Sequence, residues 1–197
     1  FKNVTANHTI EAVFAKVEAK PTNPFVDVAE GTYYYDPGLW AVANGITSGV
    51  DATHFEPEGT CTRAHAVTFL WRASGQPEPK TTNMPFRDVK PGSYYEKAVL
   101  WAVENKITNG TGTTTFSPDE NCTRAQIVTF LWRSKGEPYA SDSNNPFTDI
   151  ASDYYMDAVF WAVKEGITNG TTPTTFSPNE RCTRAQIVTF IYRAMVS

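Results

Sequence analysis

The sequence predicts a mainly α-helical protein built from three tandem copies of one helix–hairpin–helix unit. The main observation is a Cys-Thr-Arg-Ala tetrapeptide that occurs three times, each time at the start of an apolar run. These segments span 61–72, 122–133 and 182–193. Threonine is a favoured N-cap residue, and a helix that is apolar on all faces is a buried one. Three equivalent buried helices therefore indicate one shared core.

The residue three positions after the capping threonine differs between the copies. It is Gln126 in the second copy and Gln186 in the third, which completes the spacing of a capping box. In the first copy it is His65. We therefore expect the first of the three helices to have a broken, weaker cap.

Other landmarks recur in step with these helices. A Phe-x-Asp motif and a tryptophan each return after about 60 residues. The aspartates are Asp27, Asp88 and Asp149, and the tryptophans are Trp40, Trp101 and Trp161. Such a period exceeds that of most solenoids, so a closed assembly and an open array are both possible. The tryptophans lie in the middle of a predicted helix, on its apolar side, and are expected to pack in the core.

Each copy is predicted to contain a first helix that begins at an aromatic pair. A small hairpin is predicted to follow, formed by the segments Ile-Thr-x-Gly and Thr-Phe-x-Pro. In the first copy Pro37 and Gly38 fall inside the first helix, which we expect to be shorter or to start late. Gly45 and Gly166 supply a left-handed stop after that helix. Lys106 occupies the same position in the second copy, at an expected cost of about 1 kcal/mol.

Composition excludes several functional classes. The 197-residue chain has a net charge of −4, which provides no basic field for nucleic acid or anionic lipid. It has no apolar run of the length needed to insert into a membrane. No nucleophile, metal-binding or phosphate-binding motif is present, so we expect no catalysis and no cofactor. The three cysteines, one per copy, are expected to be buried and reduced rather than paired in disulfides.

The N-terminal segment differs from the copies. A loosely alternating stretch at 9–17 is predicted to form a strand, and the segment resembles the last strands of small β-repeat modules of bacterial surface proteins. The chain begins inside this pattern without a signal peptide, so we expect it to be part of a longer exported protein. The predicted division is the end of a preceding module and three repeats, at 1–20, 21–84, 85–145 and 146–197.

The ordered motifs of residues 25–197 resemble those of S-layer homology domains. These motifs are Phe-x-Asp-Val, an aromatic pair, Gly-Ile-x-x-Gly, Thr-Phe-x-Pro and Thr-Arg-Ala-Gln, in three tandem copies. The resemblance implies a pseudo-trimer with a central three-helix bundle and three prongs. It also implies non-covalent anchoring to bacterial secondary cell-wall polysaccharide, often through a pyruvylated amino sugar, with the motif arginine in grooves between the prongs.

Three departures from the family pattern bear on the ligand. Before the first helix, tyrosine replaces the tryptophan of the family pattern. At the capping-box position, histidine or glutamine replaces the acidic residue that is frequent in the family. Lys106 replaces a glycine. The tyrosines are Tyr33, Tyr94 and Tyr154, and the capping-box residues are His65, Gln126 and Gln186.

The arginine of each Thr-Arg-Ala is the leading candidate for ligand binding. Arg63, Arg124 and Arg184 fall at the first helical position, where free N–H groups and the helix dipole favour anions. A guanidinium adds a two-pronged donor for a carboxylate. The alternative is structural: each arginine pairs with the aspartate of Phe-x-Asp and braces a prong against the bundle.

The remaining candidates follow from the same resemblance. The three aspartates either cap the turn that follows them or orient the arginine. The first tyrosine of each aromatic pair is predicted to stack on a sugar, with Gln126 and Gln186 beside it. Because the first copy departs most from the pattern, the grooves of Arg124 and Arg184 are predicted to bind better than that of Arg63.

The sequence thus predicts a non-catalytic cell-wall anchoring module, extracellular and monomeric as a pseudo-trimer, with bacterial cell-wall polysaccharide as its partner. The alternative is a protein–protein assembly module of a surface layer that binds no glycan.

Overall fold

A computed structural model describes residues 22–140, 145–151 and 153–196. These ranges contain six α-helices and isolated β-bridges but no strand. The helices are α1 (Tyr35–Ala43), α2 (Arg63–Ala73), α3 (Glu96–Glu104), α4 (Arg124–Ser134), α5 (Met156–Lys164) and α6 (Arg184–Val196). None of them combines the length and hydrophobicity needed to cross a membrane. The predicted N-terminal strand and its resemblance to a β-repeat module lie outside the described residues.

The three helices that follow Cys-Thr form the centre of the molecule. Helices α2, α4 and α6 pack against one another in all three pairings. Their equivalent phenylalanines, Phe69, Phe130 and Phe190, are no more than 5% exposed. The shared core that the three apolar helices predicted is confirmed, and the fold is mainly α-helical.

The three shorter helices pack on the outside, each against the central helix of the preceding repeat. Helix α3 packs on α2 and α5 packs on α4. Helix α1, which has no preceding repeat, packs on α6 and so closes the ring. This contact decides between the closed assembly and the open array, because only a closed ring brings the first and last helices together. Each prong, which is a central helix with the shorter helix packed on it, therefore combines two sequence repeats. The predicted division of the chain into repeats at 84/85 and 145/146 stays a prediction.

A cyclic set of backbone hydrogen bonds marks the pseudo-threefold axis. The N–H of Cys61 donates to the carbonyl of Cys182 at 3.1 Å, Cys182 donates to Cys122 at 2.9 Å, and Cys122 donates to Cys61 at 2.8 Å. Each cysteine is fully buried and its thiol is free. The expected burial of the cysteines is confirmed, and a small side chain suits this crowded axis.

The three thiols are expected to resist labelling in the native protein. Burial raises the pKa of Cys61 and Cys182 to about 12, and it raises the pKa of Cys122 as well. Because the thiolate is the reactive form, the native protein at pH 8 should not react with a thiol reagent, whereas the denatured protein should react three times. Rapid native labelling of all three would contradict this account of the axis.

The capping of the central helices corrects one expectation. Thr123 and Gln126 form the predicted capping box, and Gln186 takes the same part in the third copy. The box is also complete in the first copy, where the Thr62 N–H donates to Nδ1 of His65 at 3.4 Å. The prediction of a broken first cap is wrong, because an unprotonated imidazole nitrogen accepts a hydrogen bond as a glutamine oxygen does.

The expectation of a shortened first helix is also wrong. Helices α1, α3 and α5 each have nine residues and start at equivalent positions. Pro37 is the third residue of α1. Backbone N–H groups of the first helical turn have no partner inside the helix, so a proline there removes no hydrogen bond. Gly38 still donates its N–H to the Tyr34 carbonyl at 2.8 Å.

Lys106 has the left-handed backbone conformation that the equivalent glycines of the other two copies predicted. Its φ is 59°, against 66° at Gly45 and 69° at Gly166. Lys106→Gly is therefore expected to raise the free energy of unfolding by about 1 kcal/mol in a denaturant titration. Gly166→Ala is the matched control, with an expected loss of similar size, because no atom lies within 4 Å of the added Cβ. A stabilising Gly166→Ala would show that backbone strain is not the cause.

Candidate functional site

Among the concave grooves that the described residues form, two contain a motif arginine and lie between neighbouring prongs. The first, the Arg63 groove, has a volume of about 370 Å³, and the second, the Arg184 groove, about 350 Å³. The Arg63 groove is lined by Arg63, Asn109, Gln126, Phe130, Arg133 and Tyr154, among others. The Arg184 groove is lined by Glu56, His65, Phe69, Arg72, Tyr94 and Arg184, among others. Each groove draws residues from all three repeats, so it exists only in the closed ring.

The side chains of the three motif arginines are buried, and contacts with the next repeat hold them in place. Nε of Arg63 donates to the Phe116 carbonyl at 2.8 Å, and its guanidinium lies 4.8 Å from the centre of the Phe116 ring and 5.5 Å from that of Phe130. Arg124 and Arg184 make the equivalent contacts with the next repeat around the ring. Burial lowers the pKa of Arg63 and Arg124, but a guanidinium remains charged at neutral pH.

One atom distinguishes Arg63 from its two equivalents. Nη2 of Arg124 donates to the Thr168 hydroxyl at 3.3 Å, and Nη2 of Arg184 donates to the Thr47 hydroxyl at 3.2 Å. Nη2 of Arg63 is buried and has no hydrogen-bond partner among the described residues. A buried charged donor without a partner is costly. The arginine that lines the first groove therefore has one unsatisfied donor.

The predicted anion site at the helix N-termini is not formed, because the N–H groups are already used. In α2 the N–H of Arg63 donates to the Glu120 carbonyl at 2.8 Å, and that of Ala64 donates to the Pro118 carbonyl at 3.0 Å. The turns of the next repeat cap α4 and α6 in the same way. Any anion in the groove would meet the arginine side chain rather than the helix end.

The alternative pairing of arginine with the Phe-x-Asp aspartate is also absent. Asp88 accepts the backbone N–H groups of Phe116 and Ser117 at 2.9 and 2.7 Å, and Asp27 and Asp149 do the same in their own repeats. Burial works to raise the pKa of Asp27, but these hydrogen bonds outweigh it and lower the pKa. The aspartates cap the turn, as one of the two readings predicted, and do not orient the arginines.

The aromatic pairs divide between groove and core. The first tyrosines, Tyr33, Tyr94 and Tyr154, are 52–53% exposed, whereas Tyr95 and Tyr155 are buried. Tyr94 lines the Arg184 groove and Tyr154 lines the Arg63 groove. Burial raises the pKa of all three first tyrosines, which therefore stay neutral at physiological pH. Trp101 and Trp161 are buried and Trp40 packs partly buried against the core, as expected.

The structure overturns the premise of the predicted ranking of grooves. The low rank of the Arg63 groove rested on Pro37, Gly38 and His65, but His65 lines the groove of Arg184 and not that of Arg63. Arg63 lies instead beside the segment 108–111 and the central helix of the second copy. The sequence alone did not show that each arginine enters the groove of the following repeat.

Comparison with known proteins decides the family. The S-layer homology domain family matches the chain at 24–67, 85–128 and 146–188. The chain belongs to this family. Family membership places it outside the cell, associated with the cell wall or surface layer, as a surface anchoring module.

Three relatives illustrate the range of proteins that carry similar S-layer homology repeats. An endoglucanase of Bacillus sp. (strain KSM-635) is 37% identical over 59% of the chain and 12% of its own length. A cellulosome-anchoring protein of Acetivibrio thermocellus is 27% identical over 87% of the chain and 39% of its own length. A surface-layer 125 kDa protein of Lysinibacillus sphaericus is 30% identical over 77% of the chain and 13% of its own length. The chain thus corresponds to a minor part of each.

The S-layer homology grooves contain a second arginine that the sequence reasoning missed. Arg133 lines the Arg63 groove, where its Nη1 donates to the Ile107 carbonyl at 3.4 Å. Arg72 lines the Arg184 groove and donates to the Ile46 carbonyl at 3.0 Å. An arginine closes the repeated segment in all three copies, and this recurrence was the available signal. Among the described residues no cluster of His, Cys, Asp or Glu is suited to bind a metal ion.

The first capping box predicts a pH effect on stability. Burial lowers the pKa of His65 from its ordinary value of 6.5, and the positive charge of Arg184 lowers it further, while Asp119 opposes them. Folding therefore disfavours the protonated ring, so the stability from neutral His65 is complete above pH 6.5 and is lost as the pH falls through the lowered pKa. His65→Gln should lose less stability than the native chain between pH 7 and pH 5 in urea titrations. Parallel pH curves would contradict this.

Proposed function

We propose that this module holds an exported protein on a bacterial surface by binding a secondary cell-wall polysaccharide, with carboxylate-bearing sugars in the grooves between the prongs. The observation that carries the proposal is the buried Nη2 of Arg63, which has no partner among the described residues and belongs to a groove-lining side chain. A carboxylate would satisfy this donor with a charge-assisted hydrogen bond.

The charge of the Arg63 groove supports an anionic ligand. Its lining includes Arg63 and Arg133, but no acidic residue is among the residues that line it. The amide of Gln126 uses its oxygen in the capping box, at 3.2 Å from the Thr123 nitrogen, so its NH₂ group remains a donor. The half-exposed ring of Tyr154 offers an apolar face with a hydroxyl, which suits a sugar.

The names of similar proteins support anchoring at a surface. They include a cellulosome-anchoring protein and a surface-layer protein, and the endoglucanase is an enzyme of which the similar region forms a minor part. We propose that the chain is itself non-catalytic and acts as a monomeric pseudo-trimer. Because the residues peculiar to the first copy line the other groove, we further propose that the Arg63 groove binds the glycan most tightly.

A binding assay with wall polysaccharide tests this function. The chain should co-sediment with purified polysaccharide and should lose that binding when the pyruvyl groups are removed chemically. Arg87→Ala is a suitable control for substitutions of the groove arginines, because Arg87 is exposed and does not line either groove. Equal binding to both glycans would refute a carboxylate contact. Self-association of the chain without any glycan binding would favour the assembly-module alternative instead.

A further inference from the structure

The capping-box residue differs between the two grooves: it is His65 in the Arg184 groove and Gln126 in the Arg63 groove. The His65 ring stacks against Tyr94, with ring centres 5.8 Å apart and planes at 24°. It also stacks against Phe69 at 6.2 Å and 25°. The imidazole is therefore fixed in the wall of the groove by aromatic neighbours on α2 and next to α3.

The hydrogen bonds of the ring determine which nitrogen carries the proton. Nδ1 accepts the backbone N–H of Thr62 at 3.4 Å, so the neutral ring carries its proton on Nε2. A protonated ring has no acceptor for that N–H, but its Nδ1–H can instead donate to the Thr62 hydroxyl oxygen, 3.2 Å away. Protonation thus exchanges one partner on Thr62 for another and leaves the ring in place.

The charged and titratable groups that face His65 come from five parts of the fold. Arg72 lies on the same helix, Arg184 on α6, Glu56 in the turn before α2, Tyr94 before α3, and Asp119 in the turn before α4. Burial and the positive charge of Arg184 oppose a positive charge on the ring, whereas Asp119 favours it. An anion bound beside Arg184 would offset the opposition of that arginine and favour the imidazolium.

We propose that His65 couples ligand binding in the Arg184 groove to the uptake of one proton, so that this groove binds a carboxylate-bearing sugar more tightly under mildly acidic conditions. The capping-box residue of the Arg63 groove, Gln126, has no titratable group, and no histidine or acidic residue lines that groove, which is therefore insensitive to pH between 5 and 8. The inference rests on the proposed function and adds to it a pH response confined to one groove.

Nuclear magnetic resonance of the full chain tests the coupling one groove at a time. The probe is a methyl glycoside of an N-acetylated amino sugar that carries a pyruvyl ketal, and the control is the same glycoside without the ketal. The ring signals of His65, assigned by their loss in His65→Gln, report on the Arg184 groove. The side-chain amide signals of Gln126 and Gln186 report on the other two capping boxes. His65 should titrate at least one pH unit higher with the ketal than without it.

Calorimetry then measures the consequence for affinity. Binding to the Arg184 groove should strengthen about tenfold from pH 8 to pH 5, the change that a shift of one unit produces. His65→Gln should remove this pH dependence, because glutamine has no group that titrates between pH 5 and pH 8.

The outcomes separate the inference from the proposed function. If the His65 ring signals respond to the ketal but the titration does not shift upward, the coupling is refuted and glycan binding stands. The same holds if only Gln126 or Gln186 responds. If no groove signal responds to either glycoside, both the coupling and the proposed glycan site are refuted.

Discussion

Phe130→Ala is expected to lower the free energy of unfolding by about 3–5 kcal/mol, because it removes a buried aromatic ring from the hydrophobic core. Phe130 is 3% exposed and lies on α4, where its ring also faces the guanidinium of Arg63 at 5.5 Å. The substitution therefore leaves a cavity and removes a cation–π contact at the same time. Chemical denaturation followed by fluorescence measures the loss.

The pseudo-threefold symmetry extends this expectation to the other two copies. Phe69→Ala and Phe190→Ala should cost similar amounts, since both residues hold the equivalent place and are 4% and 5% exposed. Tyr139→Ala is the control, because Tyr139 is 86% exposed and its loss should change stability by no more than about 0.5 kcal/mol. A cost below 1 kcal/mol at all three phenylalanines would contradict a shared core.

Arg63→Ala is expected to weaken binding of the pyruvylated polysaccharide by tenfold to a hundredfold. A hydrogen bond to a charged group contributes about 1.5–3 kcal/mol, and Nη2 of Arg63 has no partner among the described residues with which a ligand must compete. Removing the pyruvyl groups from the glycan should cause a loss of the same size. Calorimetric titration of both proteins with both glycans completes a double cycle.

The cycle distinguishes a ligand contact from a structural brace. If Arg63 and the carboxylate form one contact, changing both should cost little more than changing either alone. Arg63→Lys should recover only part of the affinity, because lysine keeps the charge but not the planar fork. Arg63 also donates to the buried Phe116 carbonyl, so the fold of each variant is checked by circular dichroism. Additive losses would assign Arg63 to the structure alone.

Local sequence determined much of this protein because the relevant signals act over a few residues. The threonine caps, the apolar helices after them and the left-handed position of Lys106 depend on spacing and backbone sterics alone. Recurrence of the same motifs three times also revealed the family and, through it, the closed bundle. The prediction of a shortened first helix was wrong for a local reason. It treated Pro37 as an interior residue, whereas Pro37 lies in the first turn, which tolerates proline.

The tertiary structure decided how the residues of different repeats combine. A sequence repeat is not a packing unit here. The turn of the next repeat caps each central helix, and the first helix of that next repeat packs against it. This exchange uses the N–H groups that were predicted to bind an anion, and it turns each arginine toward the next groove. It also places His65 in the groove of Arg184, far along the chain. Contacts between segments so distant in sequence have no local signature, so only the closed ring shows them.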